Sequence, residues 1–317
     1  MADTYLIPKQ LARKSPALVK WVQRFEAAIF AALFWLLQKM SLEHGSKLAG
    51  AFFGTVGSLS RKADKPRNNL AIAFPDSTPQ WRERTTRGIF RHVGIAAVEL
   101  AKLEQIWEQR QQRLEFVIEP AARKHLEAKR ATVFVCAHVG PWQITNLIAR
   151  HCDLDLSTIY APESNQAMGK LLSKLRESFG AKLIPSTAGV RPLLKELAAD
   201  HCIGLAIDTR LDTGKMIPLF GKEAATNTSA AGLALRTGAA LIPIRAQRLP
   251  QGRFRVTVYD PLTSQNPDAP EPEQRLELSI QINRHFEAWI RENPEQWICL
   301  KRRWPKSEYP QKPQRHS

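Results

Sequence analysis

From residue 131 onward the chain alternates short apolar or β-branched runs with helix-length segments. The runs are TVFVCA at 132–137, LSTIYAP at 156–162, AKLIP at 181–185, CIGLAID at 202–208, ALIPIRAQ at 240–247 and RFRVTVYD at 253–260. Strands spaced this way connect as βα units, and such units build a mostly parallel sheet with helices on its faces. The last two runs are joined by RLPQGR, a hairpin turn that adds an antiparallel edge.

The first hundred residues read differently. Apolar positions recur with helical period through 16–40 and 44–60, and Ser77-Thr78-Pro79 suits the cap of a helix running towards Leu103. A final amphipathic helix spans Pro272 to Glu292, ahead of a basic, proline-rich tail. The expected fold class is α/β, a mostly parallel sheet flanked by helices with a helical N-terminal membrane-associating region. The expected division is a membrane-attachment region over 1–60, a main domain over 61–306 and a disordered basic tail over 307–317.

With 46 Lys+Arg against 30 Asp+Glu, the formal charge of +16 calls for anionic partners: nucleic acid, membrane phosphates or an acidic protein. The sign does not choose among them. The basic residues are spread along the chain without a nucleic-acid-binding motif, so no nucleic-acid partner is expected. The opening MADTYLIPKQLARK does not read as a signal peptide. The uncharged run AAIFAALFWLL at 27–37 is 11 residues, short of the roughly 20 that span a bilayer. It reads either as a buried core helix or as a helix lying in the membrane interface, with Lys9, Arg13, Lys14, Lys20 and Arg24 meeting lipid phosphates. LAGAFFGTVGSL at 48–59 would give it an apolar helical partner. The four cysteines show no CxxC pairing and read as buried thiols in a reducing compartment, without disulfides or zinc.

His138 stands where the strand TVFVCA ends, and ligands of open α/β sheets bind outside the carboxyl ends of strands. Gly140 and Pro141 turn the chain and Trp142 begins a helix. An imidazole there suits general-base work, since its pKa lies near the operating pH. Position alone does not separate a catalytic from a structural histidine. Cys136 points to the same face as His138, but its apolar neighbours suggest an inert buried thiol. Thr228 and Ser229 follow a capping Asn227 and read as helix-start residues.

Five segments carry a resemblance that runs nearly end to end: RNNLAIAFP at 67–75, HVGPWQ at 138–143, NQAMGKLLSKLRESFG at 165–180, IDTRLDTGKMIPLFGKEAATNTSAAGLALRTGAALIPI at 207–244 and PEQWICLKRRW at 294–304. They resemble the lipid A late acyltransferases, the lauroyl and myristoyl transferases of the lysophospholipid acyltransferase superfamily. The resemblance implies transfer of a fatty acyl group from acyl carrier protein to a hydroxyl of a phosphorylated glycolipid acceptor, without a metal or nucleotide cofactor. It also implies a membrane surface as partner, at the cytoplasmic face of an inner membrane. His138 would be the general base. Arg176 would bind a substrate phosphate or steady negative charge, Asn165 would hold a turn or contact the acceptor, and Arg210 would join the substrate-binding set.

The departure is Gln143, where the family carries Asp or Glu five residues after the histidine. A glutamine oxygen can accept the imidazole N–H but carries no charge to stabilise an imidazolium. Either turnover is slow, or another carboxylate serves His138, or the chain binds lipid without turning over. Asp208, ending CIGLAID on the same edge of the sheet, is the first candidate for that carboxylate, with a turn-capping role as its alternative; Glu163 is the second. Other acceptors, a lysophospholipid or an aminolipid, and acyl-CoA as donor remain open.

Overall fold

The computed structural model describes residues 16–163, 165, 169–170, 172–173 and 180–309. Four helices come first: α1 (Pro16–Lys39), α2 (Leu42–Leu59), α3 (Asp64–Ala73) and α4 (Pro79–Ala101). Their starts follow capping chemistry. Thr78 Oγ1 accepts from Trp81 N at 3.1 Å with Pro79 at the first helical position, and Ser41 Oγ accepts from His44 N at 3.1 Å.

Helix α2 packs on α4 through its small residues. Gly45, Gly50 and Gly54 face inward, and a Cβ on Gly94 of α4 would stand 2.4 Å from the Ala49 carbonyl oxygen, so the backbones meet with no room for a side chain. Leu42 is buried at the start of α2, but Leu48, Phe52, Val56 and Leu59 are turned to the outside. Helix α1 likewise exposes Trp21, Phe25, Leu33, Trp35 and Leu36. The core-helix reading of residues 27–37 does not hold, because most of the run's larger side chains face outward.

Seven strands form one mixed sheet in the order β1-β9-β8-β2-β5-β3-β4. They are β1 (Leu114–Ile118), β2 (Thr132–Cys136), β3 (Leu156–Tyr160), β4 (Ala181–Pro185), β5 (Cys202–Ala206), β8 (Ala240–Leu249) and β9 (Arg253–Val258). Strands β8, β2, β5, β3 and β4 run parallel, and β9 folds back antiparallel to β8 across the RLPQGR turn. The hairpin was expected to end the sheet, yet β1 adds beyond β9, parallel to it. LEFVI escapes a reading by runs because it is short, alternates half-buried with exposed positions and lies among charged residues. A separate hairpin, β6 (Lys215–Leu219) and β7 (Lys222–Thr226), turns at Phe220-Gly221, both with positive φ.

Strand β2 is buried throughout, and its side chains alternate between two cores. Val133 and Val135 face Leu205, Phe286, Trp289, Trp297 and Trp304 under α7 (Arg191–Ala198), α8 (Ser229–Thr237) and α9 (Glu271–Glu292). Phe134 and Cys136 face Leu103, Ile106, Ile144 and Ile148 under α4, α5 (Pro120–Glu127) and α6 (Ile148–Cys152). The helix expected to begin at Trp142 is a 3-10 helix, Trp142–Leu147, that leads into α6.

Candidate active site

Parallel register brings the site together. Strands β2 and β5 pair residue for residue from Thr132↔Cys202 to Cys136↔Ala206, so the chain positions two beyond each strand, His138 and Asp208, arrive side by side. Ile207 N extends the ladder to Cys136 O at 3.1 Å. His138 Nδ1 then lies 2.6 Å from Asp208 Oδ1, and the same oxygen accepts from His138 N at 3.0 Å. The other carboxylate oxygen accepts from the Trp297 indole N–H at 3.2 Å. An ionised carboxylate only accepts, so Nδ1 carries the proton and the lone pair of Nε2 is free. The imidazole retains 27% of its exposure, whereas Asp208 retains 6%.

Charge follows from this geometry. Burial disfavours the imidazolium and Lys301 opposes it, but the charge and hydrogen bond of Asp208 outweigh both and raise the His138 pKa. For Asp208 burial disfavours the carboxylate, and the contacts with His138 and Trp297 prevail, holding its pKa below the usual carboxylate value. Cys136, by contrast, is pushed up to about 12 by burial, beside the Asp208 charge, which leaves no thiolate at neutral pH.

The loop carrying His138 is held from outside by the C-terminal block. Ile298 N donates to His138 O at 2.8 Å, Gly140 N donates to Gln296 O at 3.0 Å, and Val139 bridges Trp297. Gly140 has φ +65 and a Cβ there would lie 2.9 Å from the Ala246 carbonyl oxygen, so both the turn and the close approach require glycine. Buried Asn69 fastens the block in turn. Its Nδ2 donates to the carbonyls of Cys299 at 2.9 Å and Lys301 at 2.8 Å, while Oδ1 accepts from Arg303 N at 3.2 Å. The segments RNNLAIAFP and PEQWICLKRRW, about 230 residues apart, are thus one structural unit.

Among the described residues, two cavities share His138 and no other lining residue. The first, about 250 Å³, has Phe134, Cys136, Ile148, Leu156, Leu183 and Ile244 among its apolar walls, with Gln143, Asn146 and Glu163 as polar members. The second, about 220 Å³, runs between Asp208–Arg210 and Trp297–Arg303.

Of the residues singled out by sequence, His138 and Asp208 are joined directly. Gln143 is in the wall of the first cavity; its Oε1 is buried without a hydrogen-bond partner among the described residues, and the imidazole Nδ1 is occupied by Asp208. Arg210 lines the second cavity, is paired with Asp212 and donates to the Trp304 carbonyl at 3.4 Å. Asn165 is buried away from His138's contacts, donating to Gln23 O at 2.9 Å and Glu26 Oε2 at 3.2 Å of α1, while its carbonyl accepts from Gly169 N at 2.9 Å. Arg176 lies outside the described residues. Sequence reading missed Trp297 and Asn69 as individuals, because nothing local tells which tryptophan or asparagine of a motif reaches a group far along the chain.

A family model for bacterial lipid A biosynthesis acyltransferases matches residues 9–306. Among similar proteins, a phosphatidylinositol mannoside acyltransferase of Mycolicibacterium smegmatis is 26% identical over 76% of this chain and 74% of its own. A lipid A biosynthesis acyltransferase of Haemophilus influenzae is 22% identical over 80% of this chain and 79% of its own. A lipid A biosynthesis lauroyltransferase of Escherichia coli is 26% identical over 78% of this chain and 80% of its own.

Proposed function

The chain belongs to the bacterial lipid A biosynthesis acyltransferase family, and we propose that it moves a fatty acyl group from acyl carrier protein to a hydroxyl of a phosphorylated lipid A precursor, with His138 as general base. The observation that carries this reading is the His138–Asp208 contact at 2.6 Å, with His138 in the wall of a partly apolar cavity. Nε2 takes the proton of the acceptor hydroxyl as its oxygen attacks the thioester carbonyl. The tetrahedral intermediate then expels the thiolate, which leaves with that proton. Asp208 fixes the tautomer and stabilises the imidazolium formed between the two steps. The acyl chain lies along Phe134, Leu156, Leu183 and Ile244. Arg176 and Arg210 bind the polar part of a substrate, and Asn165 holds its segment on α1.

The pair also argues against a lipid-binding protein without turnover. Gln143 suggested that reading, and Asp208 supplies the charge that Gln143 lacks.

Residues 1–60 attach the enzyme to the membrane, and 61–306 form the acyltransferase unit. The outward apolar side chains of α1 and α2 and the charge of +16 support a helix pair lying in the interface of the cytoplasmic leaflet of the inner membrane. No helix among the described residues is long and apolar enough to cross a membrane.

A second acceptor class is favoured by one observation, the Mycolicibacterium relative named for a phosphatidylinositol mannoside. The deciding assay incubates purified enzyme with lauroyl acyl carrier protein and either a tetra-acylated, Kdo-bearing lipid A precursor or a mannosylated phosphatidylinositol, and reads product mass. Acylation of the first by wild type and not by His138→Ala supports the proposal; acylation of the second alone replaces the acceptor. No product with either would sink it.

A further inference from the structure

The second cavity at His138 is walled by Arg210, Lys301, Arg302 and Arg303, and among the described residues Asp208 is the one carboxylate in its lining. Only Arg210 has an ion-pair partner among the described residues, Asp212. The two oxygens of Asp208 are engaged by His138 and Trp297. Arg303 is 2% exposed and is held by neutral groups, with Nη1 on Ala225 O at 3.0 Å and Nη2 on Thr226 Oγ1 at 2.8 Å; its Nε is buried without a partner. Burial brings its pKa down to about 10, against the pull of Asp208. A buried guanidinium without a bound counterion is costly. The cost persists because the chain cannot relax: Asn69 clamps the carbonyls of Cys299 and Lys301 and the amide of Arg303.

We infer that this cavity is a binding site for a phosphate ester, held by Arg210, Lys301, Arg302 and Arg303 beside His138. Forked guanidinium donors and an ammonium lining one pocket match the non-bridging oxygens and the negative charge of a phosphate. The inference rests on the proposed acyl transfer for its ligand. Two substrates of that reaction carry phosphate: the acceptor has one on its sugar, and the donor has one in its phosphopantetheine arm. Either would aim a bound substrate at Nε2, leaving the first cavity for the hydrocarbon chain.

Glycerol 3-phosphate is the probe for calorimetric titration of the full chain, with glycerol as the uncharged control. Saturable binding to wild type, weakened about tenfold in both Lys301→Gln and Arg302→Gln at unchanged melting temperature, is the expected result. Both side chains reach solvent and make no ion pair among the described residues, so the variants should fold. No binding, or equal binding by the variants, overturns the site. Steady-state kinetics then separates the sources. If the acceptor phosphate occupies the pocket, the variants raise KM for the phosphorylated acceptor, and removing that phosphate costs wild type the same factor. If the donor occupies it, KM for the acyl carrier protein substrate rises instead, and neither KM changing overturns the assignment to substrate. Probe binding without acyl transfer to any acceptor would leave the site standing and remove the proposed reaction.

Discussion

His138 Nδ1 and Asp208 Oδ1 lie 2.6 Å apart, 70 residues apart in sequence and at equivalent points beyond two adjacent parallel strands. A carboxylate five residues after the histidine would reach the imidazole from the following turn. Here it comes from the neighbouring strand, with Trp297 fixing its far oxygen. The charge that an imidazolium needs is thus available although position 143 is neutral.

The two sources of relay charge are separable by mutation. Asp208→Asn keeps the shape of the site but removes the charge and allows the wrong tautomer, and kcat should fall by about 10²–10⁴ with circular dichroism unchanged. Gln143→Glu should leave kcat near the wild-type value, because Nδ1 is already engaged. A large gain from Gln143→Glu, with little loss from Asp208→Asn, would reverse the assignment.

The pH profile carries the same information. A general base must be neutral, and the His138 pKa is raised above its ordinary 6.5, burial notwithstanding, through Asp208. The acid limb of kcat/KM should therefore lie above 6.5. In Asp208→Asn the raising contacts vanish while burial remains, so the limb moves to lower pH. Lys301→Gln removes a cation that opposes protonation, so there the limb moves up. For stability, the raised His138 pKa contributes fully below 6.5 and is lost as pH rises through its folded value. The lowered Asp208 pKa contributes above 3.8 and is lost as pH falls through its folded value.

Six of the sheet strands were legible because their apolar or β-branched runs are bounded by clear breaks, and one of those runs led to Asp208. Parallel pairing made the inference possible, since strands of equal length that start in register end in register. What stayed hidden was non-local. LEFVI gains its place only by pairing with β9, and the KMIPL and KEAAT strands only by pairing with each other. No local pattern says that Asn69 would clamp residues 299–303 or that the Trp297 indole would reach Asp208. The outward face of α2 was hidden for a related reason: its glycines pack against α4, which reverses the usual rule that large apolar residues turn inward.

Behind the site, Arg248 of β8 grips Glu99 of α4 with both arms, Nε to Oε1 at 2.6 Å and Nη2 to Oε2 at 2.7 Å, and its Nη1 reaches Gln296 Oε1 at 3.3 Å. Glu99 is 4% exposed, so Arg248→Met leaves a buried carboxylate unpaired and should cost about 3–5 kcal/mol of unfolding free energy. Urea denaturation would read this as a lowered midpoint. Adding Glu99→Leu removes the stranded charge and should recover most of the loss. If the double variant is no more stable than the single one, the pair is not the source of the effect.

Membrane attachment through α1 and α2 makes a prediction independent of the chemistry. Phe52 and Leu59 are 59% and 83% exposed on the face of α2 opposite Gly50 and Gly54, which pack on α4. If that face sits in the interface, each side chain contributes on the order of 1.5–3 kcal/mol of burial. The double substitution Phe52→Asp and Leu59→Asp should then lower partitioning into phosphatidylglycerol vesicles by at least about a hundredfold. Melting temperature should hold, because the packing face is untouched. Binding should also weaken with salt, as basic residues near anionic headgroups are screened. Undiminished sedimentation of the double variant with vesicles would place the attachment elsewhere in the chain.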